Sequence, residues 1–267
     1  MPRVSLLTIT NRPGGMDIAL ANQRRQTVQG FEWILVDALR EQRGPYGIPE
    51  PPKTRLGNMA ASVNEGLAHC RGEYIVLLQD YIWIPPRGIE RFLKAQEKRG
   101  PCLVTGVGNV GSGPPATHPD GLHSVFDEPY ERPPTGLSWA DPRKTHLKGL
   151  QPCEPVAWEA NWACLPLAVA EELGGFDEEY DNGWAWDHVQ FAERARLAGY
   201  PLYVDMDNEC KAFPHDTYFP NPLKADRSLS NAERYLHDIQ ALRKGQKPLR
   251  VPYLAQRREA LCQPSAP

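Results

Sequence analysis

The chain has 267 residues, of which 41% are hydrophobic and 24% charged, and its net charge at pH 7 is −3. This ordinary globular composition excludes a fully disordered chain, a coiled coil and a collagen-like repeat. The nearly balanced charge gives no indication of a nucleic-acid partner. Apolar runs are too short for a transmembrane segment, and the first residues lack a signal-peptide pattern. We therefore expect a cytoplasmic protein that contacts membranes only peripherally, if at all.

Proline and cysteine add to this description. The 27 prolines are about twice the usual share and predict long, stiffened loops. The six cysteines are scattered and form no Cys-x-x-Cys pair, so their spacing does not indicate a zinc site. We expect them to be reduced thiols that mostly fill the core.

Short apolar runs alternate with helical patterns over the first hundred residues. Strands are predicted over Val4–Ile9, Trp33–Val36 and Tyr74–Leu78, and a fourth begins at Leu103. Helices are predicted over 16–28, over Asn58–Cys70 and after the proline pair at 85–86. The alternation predicts right-handed βαβ units, and the continuous apolar strands indicate a parallel sheet with helices on both faces. The predicted fold class is therefore α/β.

Polar residues stand at the ends of three predicted strands, at Thr10, Asp37 and Asp80. In parallel sheets, ligands bind beyond the carboxyl ends of the strands. We therefore expect these three side chains to face one crevice. Asp80 is suited either to hold a divalent cation there or to cap the next turn.

The second half of the chain is less regular. Residues 106–157 are rich in Gly and Pro, and an ordered loop beside the site is favoured over a disordered insertion. Helices are predicted over Pro166–Leu173 and Asp187–Ala198, and a strand over Leu202–Val204. A capping box predicts a further helix that begins at Ser230. The tail after Arg258 is expected to be disordered.

A second cluster of candidate functional residues surrounds Asp187. This residue begins a predicted helix, where a carboxylate serves as an N-cap or as a base. Trp184 and Trp186 precede it, and aromatic faces beside a carboxylate commonly hold a sugar ring or a nucleobase. His188 is open between ligand, base and surface residue. A lone His215 follows the last predicted strand and is open between a ligand and a structural role.

Several motifs together resemble the family 2 glycosyltransferases of the GT-A fold. The matching stretches are VSLLTITNRP at 4–13, EWILVD at 32–37, RGEYIVLLQD at 71–80, GGFDE at 174–178, WDHVQFAER at 186–194, AGY at 198–200 and His215. The resemblance covers roughly residues 4–100 and 158–216. It implies a Rossmann-like, mostly parallel sheet with a small acceptor-side subdomain.

The resemblance also implies roles for individual residues. The donor pocket would be lined by Thr10, Arg12, Asp37, Arg55, Asn58, Gln79 and Asp80. Asp37 would bind the nucleotide base, and Asp80 would hold a Mn²⁺ or Mg²⁺ ion on the diphosphate, with His215 completing the metal shell. Asp187 would be the catalytic base, with His188 as its competitor, and Trp184 and Trp186 would contact the acceptor.

The sequence departs from the family pattern at both acidic motifs. One carboxylate stands in Gln79-Asp80-Tyr81, where the family usually has two or three, and Asp187-His188 replaces Glu-Asp. A site with fewer negative charges should hold a cation weakly in the absence of nucleotide.

These features predict an inverting glycosyltransferase that moves a sugar from a nucleotide-diphospho-sugar, most readily a UDP-sugar, to a hydroxyl group of a carbohydrate or another acceptor. The alternatives are a sugar-1-phosphate nucleotidyltransferase and a non-catalytic nucleotide- or sugar-binding protein. The corresponding division of the chain is a donor-binding half (1–105), a loop region (106–157), an acceptor and catalytic half (158–228), a C-terminal helical segment (229–258) and a tail (259–267).

Overall fold

The computed structural model describes residues 3–10, 14–37, 47–49, 59–111, 116–117, 124–125, 133–183, 185–214 and 221–263. The strands are β1 (Val4–Thr10), β2 (Glu32–Asp37), β3 (Gly47–Pro49), β4 (Tyr74–Gln79), β5 (Ile82–Trp83), β6 (Leu103–Val110), β7 (Ala116–Thr117), β8 (Ser124–Val125), β9 (Trp139–Ala140), β10 (Leu150–Pro152), β11 (Trp162–Pro166) and β12 (Leu202–Ala212). The α-helices are α1 (Gly15–Arg25), α2 (Met59–His69), α3 (Gly88–Arg99), α4 (Leu167–Leu173), α5 (Asp187–Leu197), α6 (Asn221–Arg243) and α7 (Tyr253–Cys262).

One mixed sheet of ten strands runs through the described part of the chain. Its order is β10-β12-β6-β11-β4-β1-β2-β3, with β5 and β9 added beside β12 and β6. Strands β4, β1, β2 and β3 are mutually parallel. Strand β11 lies antiparallel between β4 and β6, and β12 is parallel to β6. The predicted α/β class with a mostly parallel central sheet is confirmed.

Helices cover both faces of this sheet because successive strand residues point to opposite sides. On one face, Leu7 and Ile9 of β1 share a core with residues of α2, α4, α5 and α7. On the other face, Val4 and Leu6 share a second core with residues of α3. All seven residues of β1 are buried, including Ser5, Thr8 and Thr10, as expected for a strand that is covered on both faces.

Two predicted boundaries near the C-terminus are wrong. Helix α6 begins at Asn221, so Ser230 lies inside the helix and is not its N-cap. The proline at 222 suits the first turn of this longer helix. Residues 259–262 of the expected disordered tail belong to α7, while 264–267 lie outside the described residues.

Helix α7 is ordered because it docks on the rest of the fold. Leu254 is 2% exposed within the first core. Arg257 forms ion pairs of 2.7 and 2.8 Å with Glu65 of α2 and with Glu178. A helix with a buried apolar anchor and partly buried charge pairs has enough contacts to remain folded at a chain end.

All six cysteines are free, and four of them are buried. Among the described residues, no helix combines the length and the apolar character needed to cross a bilayer.

Candidate active site

The three predicted strand-end residues do converge. Thr10 lies opposite Asp37 in the register of β1 and β2, and Ile9 lies opposite Gln79 in that of β1 and β4. The Thr10 hydroxyl donates to Asp80 Oδ2 over 3.3 Å. Thr10, Asp37 and Asp80 are all buried. The carboxyl ends of β1, β2 and β4 therefore place two carboxylates and a hydroxyl at one edge of the sheet.

The N-terminus of helix α1 lies against the side chain of Asp80. Gly14 adopts a left-handed conformation with φ of 81° and turns the chain into α1 at Gly15. A Cβ atom on Gly15 would lie 2.7 Å from the Cβ atom of Asp80, so the close approach requires glycine here. A carboxylate at a helix N-terminus is stabilised by the helix dipole. The Gly14-Gly15 pair is therefore the sequence signal for this contact.

Gln79 links the end of β4 to two other segments. Its side-chain amide donates to the sulfur of Met59, the first residue of α2, over 3.4 Å. Its backbone amide donates to the carbonyl of Asn161 over 3.0 Å. The other predicted donor, acceptor and metal residues, Arg12, Arg55, Asn58, Trp184 and His215, lie outside the described residues.

Asp181 is a site residue that the sequence analysis missed. Its carboxylate accepts hydrogen bonds of 2.8 Å from the backbone amides of Ala60 and Ala61, in the first turn of α2. Burial raises the pKa of Asp181 to about 7, and the charges of Asp187 and Glu178 add to the rise, while the two amides oppose it. Asp181 therefore ties α2, which also contacts Gln79, to the segment that leads into Asp187.

Asp187 is the first residue of α5, and the N-cap position belongs to Trp186, which makes no side-chain cap. Of the two roles left open for Asp187, that of the N-cap is therefore not the one seen, because Asp187 lies one residue inside the helix. Both residues before Asp187 have left-handed backbones, with φ of 57° at Ala185 and 70° at Trp186. The Trp186 ring packs on Tyr235 of α6 with a centroid distance of 5.2 Å.

His188 forms a pair with Asp187, whose Oδ1 lies 3.4 Å from the imidazole Nδ1. Burial disfavours the charged ring, but the hydrogen bond that the ring donates to Asp187 and the charges of Asp187 and Glu159 outweigh it. Together they hold the pKa of His188 above its ordinary value, although Arg143 opposes the shift. His188 and Asp187 therefore form a close pair at the start of α5.

Arg143 of the expected loop region lies close enough to His188 for its charge to act on the imidazole. Arg143 binds Asp141 through Nε, over 2.9 and 3.0 Å, and donates to the carbonyl of Ala157 over 2.8 Å. Asp141 also accepts from the amide of Gly108 in β6 over 2.8 Å. In the described range 133–157, the loop is thus fastened to the carboxyl end of β6.

The fit of a divalent cation can be judged from the ligand types. The described residues contain no group of three or more His, Cys, Asp and Glu side chains placed to hold a metal. Asp80 and the Thr10 hydroxyl offer the hard oxygens that Mg²⁺ and Mn²⁺ prefer. Because Mg²⁺ is often held by one or two carboxylates plus substrate phosphates, Asp80 fits a cation that arrives with a nucleotide.

Comparison with known proteins shows a structural likeness. No family model and no curated protein matches the sequence. The structure of residues 1–349 of S. aureus TarS in complex with UDP matches with a TM-score of 0.55 and 12% identity, over 79% of this chain and 60% of that one. The complex of the same TarS fragment with UDP-GlcNAc gives a TM-score of 0.55 at 12% identity, over 79% and 58%.

A further structure of S. aureus TarS matches over 79% of this chain and 36% of its own, with a TM-score of 0.55 and 12% identity. The chain therefore spans less than two thirds of each of these TarS structures. At this level of identity, the likeness shows that the two proteins share a fold, a mixed α/β sheet flanked by helices.

Proposed function

We propose that the protein is an inverting glycosyltransferase that moves a sugar from a UDP-sugar to an acceptor hydroxyl. The proposal rests on two clusters of polar residues that a chain of contacts connects. Thr10, Asp37 and Asp80 lie at the carboxyl edge of the sheet, and Asp187 and His188 begin α5. The fold is shared with TarS, which has been crystallised with UDP and with UDP-GlcNAc.

Continuous contacts support the placement of both clusters in one site. From the end of β4, Gln79 reaches Met59 at the start of α2, and the next two amides of α2 hold Asp181. On a second route, Gln79 contacts Asn161, whose side chain lies 3.3 Å from Glu159, and the charge of Glu159 acts on His188. Both routes join the strand ends to the Asp187 segment.

In this proposal the donor lies at the strand ends. Asp37 accepts a hydrogen bond from the nucleotide base, and Thr10 and Gln79 line the pocket with Arg12, Arg55 and Asn58. Asp80, with His215, would hold a Mn²⁺ or Mg²⁺ ion. Such an ion, when bound, would neutralise the charge that grows on the leaving diphosphate.

The chemistry assigned to the chain is one proton transfer. As the acceptor oxygen attacks the anomeric carbon, Asp187 takes its proton, the bond from that carbon to the diphosphate breaks, and UDP leaves with the electron pair. One in-line displacement inverts the anomeric centre. The pairing of His188 Nδ1 with Asp187 Oδ1 over 3.4 Å supports this division, because it leaves the imidazole as a group that positions the carboxylate. Trp184 and Trp186 would contact the acceptor.

One observation favours a second candidate, a non-catalytic nucleotide- or sugar-binding protein. Asp80 is the one carboxylate in its motif, and it is completely buried. A site that binds nucleotide without turnover would require the strand-end residues but would not require Asp187 as a base.

The test combines turnover with binding. The purified chain is incubated with a panel of UDP-sugars, Mn²⁺ and carbohydrate acceptors, and UDP release and UDP affinity are measured. Asp80→Asn, which preserves side-chain size, should remove the Mn²⁺-dependent part of UDP affinity. Glu97→Gln is the matched control, because it removes a half-exposed carboxylate on α3.

The outcomes separate the candidates. Acceptor-dependent UDP release supports the transferase, whereas UDP binding without release supports the binding protein. Equal Mn²⁺ dependence in wild type and Asp80→Asn would remove Asp80 as the cation ligand. Absence of both binding and release would reject a nucleotide-sugar site.

A further inference from the structure

Helix α6 contacts the segment that precedes Asp187. Asn231 of α6 is 2% exposed, and its side-chain amide donates to two backbone carbonyls, that of Tyr180 over 2.9 Å and that of Ala185 over 2.8 Å. One amide group therefore spans both ends of a short segment. Ala185 lies two residues before the proposed base.

The segment needs such a restraint because its backbone is unfavourable. Ala185 and Trp186 both have backbone angles in the left-handed region, which residues with a Cβ atom rarely adopt. Two such residues in succession add their conformational energies. Conformations of this kind persist where the surroundings hold them. The hydrogen bond from Asn231 to the Ala185 carbonyl acts directly on this turn.

Gly183 provides the space in which Asn231 reaches the two carbonyls. A Cβ atom at this position would lie 2.2 Å from Asn231 Oδ1 and 2.3 Å from its Cγ. A side chain at 183 would displace the Asn231 amide from both acceptors. The sequence thus combines a small residue and a buried amide from segments 48 residues apart.

We infer that Asn231 is a positioning residue for the transfer reaction: by fixing the carbonyls of Tyr180 and Ala185, it holds the left-handed turn that orients Asp187. This inference rests on the proposed function, because it assigns Asp187 as the base. Asn231 itself does not touch substrate in this scheme. Asn231 acts by setting the direction in which the backbone enters α5.

The experiment uses the full chain with four variants. Asn231→Ala removes the amide, and Asn231→Asp keeps its size but replaces the donating group with an accepting oxygen. Gly183→Ala displaces the amide without changing it, and the double variant Gly183→Ala with Asn231→Ala tests whether both act on one contact. Ser230→Ala, an exposed neighbour on the same helix, is the control.

The readouts are kcat, donor KM, UDP affinity, thermal melting and amide hydrogen exchange. Asn231→Ala and Asn231→Asp should each lower kcat about tenfold or more, with donor KM and UDP affinity within about twofold of wild type. Gly183→Ala should act similarly, and the double variant should be no worse than the poorer single variant. The Gln190 amide, which donates to the Trp186 carbonyl over 2.9 Å, should exchange faster in each.

Two results would overturn the inference. One is an Asn231→Asp enzyme with normal kcat, because the amide donors would then be dispensable. The other is unchanged Gln190 exchange in Asn231→Ala, because the turn would then hold without the amide. If wild type transfers no sugar, the proposed function fails, and the exchange measurement still decides whether Asn231 holds the turn.

Discussion

At the scale of single residues, Asp187 and His188 illustrate how neighbouring groups can divide one task. The helix start fixes Asp187, and its carboxylate keeps the adjacent imidazole more readily protonated than usual. In the proposed reaction, Asp187 is the base, and the paired imidazole of His188 positions its carboxylate.

This division predicts unequal effects of two substitutions. Asp187→Asn should lower turnover at least about a hundredfold, the usual contribution of general-base catalysis, while UDP affinity and thermal stability change little. His188→Gln should cost less turnover, because the proposed base remains and Gln keeps a polar side chain beside it. Turnover and UDP affinity of both variants, measured between pH 5 and pH 9, check this. An inactive His188→Gln with an active Asp187→Asn would place the base at His188.

Asp181 predicts a pH dependence of stability. Its pKa in the folded protein is raised from 3.8 to about 7, so the folded state binds more protons than the unfolded chain between these values. The stability from the protonated carboxyl is therefore complete below about pH 4 and is lost as the pH rises through 7. In Asp181→Asn this loss should be absent. Urea unfolding of both proteins between pH 4 and pH 8 measures this loss. If the free energy of unfolding changed with pH equally in both proteins, the prediction would be contradicted.

At the scale of elements, the local sequence pattern was sufficient to predict a strand or helix whose own residues carry the signal. Apolar runs predicted β1, β2 and β4, because strands covered on both faces need no polar alternation. Strand β11 was not predicted as a strand, although all five of its residues are buried. Its place between β4 and β6 depends on pairing with strands far away in sequence, which no local pattern reports.

Helix α7 offers a prediction with an internal control. Leu254→Ala should lower the free energy of unfolding by about 2–4 kcal/mol, because it opens a cavity in the core shared with α2. Leu261→Ala makes the same chemical change on the same helix, where the side chain is 48% exposed, and should change stability by less than about 1 kcal/mol. Denaturant unfolding of the two variants measures the difference. Equal effects would mean that α7 does not dock as described.

At the scale of the whole molecule, one half of the candidate site is predictable from the sequence and the other half is not. The meeting of Thr10, Asp37 and Asp80 follows from the rule that parallel strands end at a common edge. Asp181 and Asn231 were missed because their partners are brought near only by the folded chain. Asp181 binds amides 120 and 121 residues away, and Asn231 binds carbonyls 46 and 51 residues away. Long-range contacts of this kind leave no spacing signal in a single sequence.

The continuity of the sheet predicts how nucleotide binding affects stability. The strands of the proposed donor pocket and strand β12 belong to one hydrogen-bonded sheet, joined through β11 and β6. The described parts of residues 1–105 and 158–228 should therefore unfold together, although their proposed roles differ. UDP with Mn²⁺ at about 100 times its Kd should add about 2.7 kcal/mol to the stability of the native state. For a chain of this length, that corresponds to a rise in Tm of roughly 5–10 °C.

The measurement follows thermal unfolding by tryptophan fluorescence and by far-ultraviolet circular dichroism, with and without UDP and Mn²⁺. Coincident curves that move together are expected, because both probes then report one cooperative transition. ADP is the control ligand, and it should produce a smaller shift if Asp37 recognises the base. Two separate transitions, of which UDP moves only one, would show that the donor half folds independently of the strands beyond β11. The functional division of the chain would then also be a division into folding units.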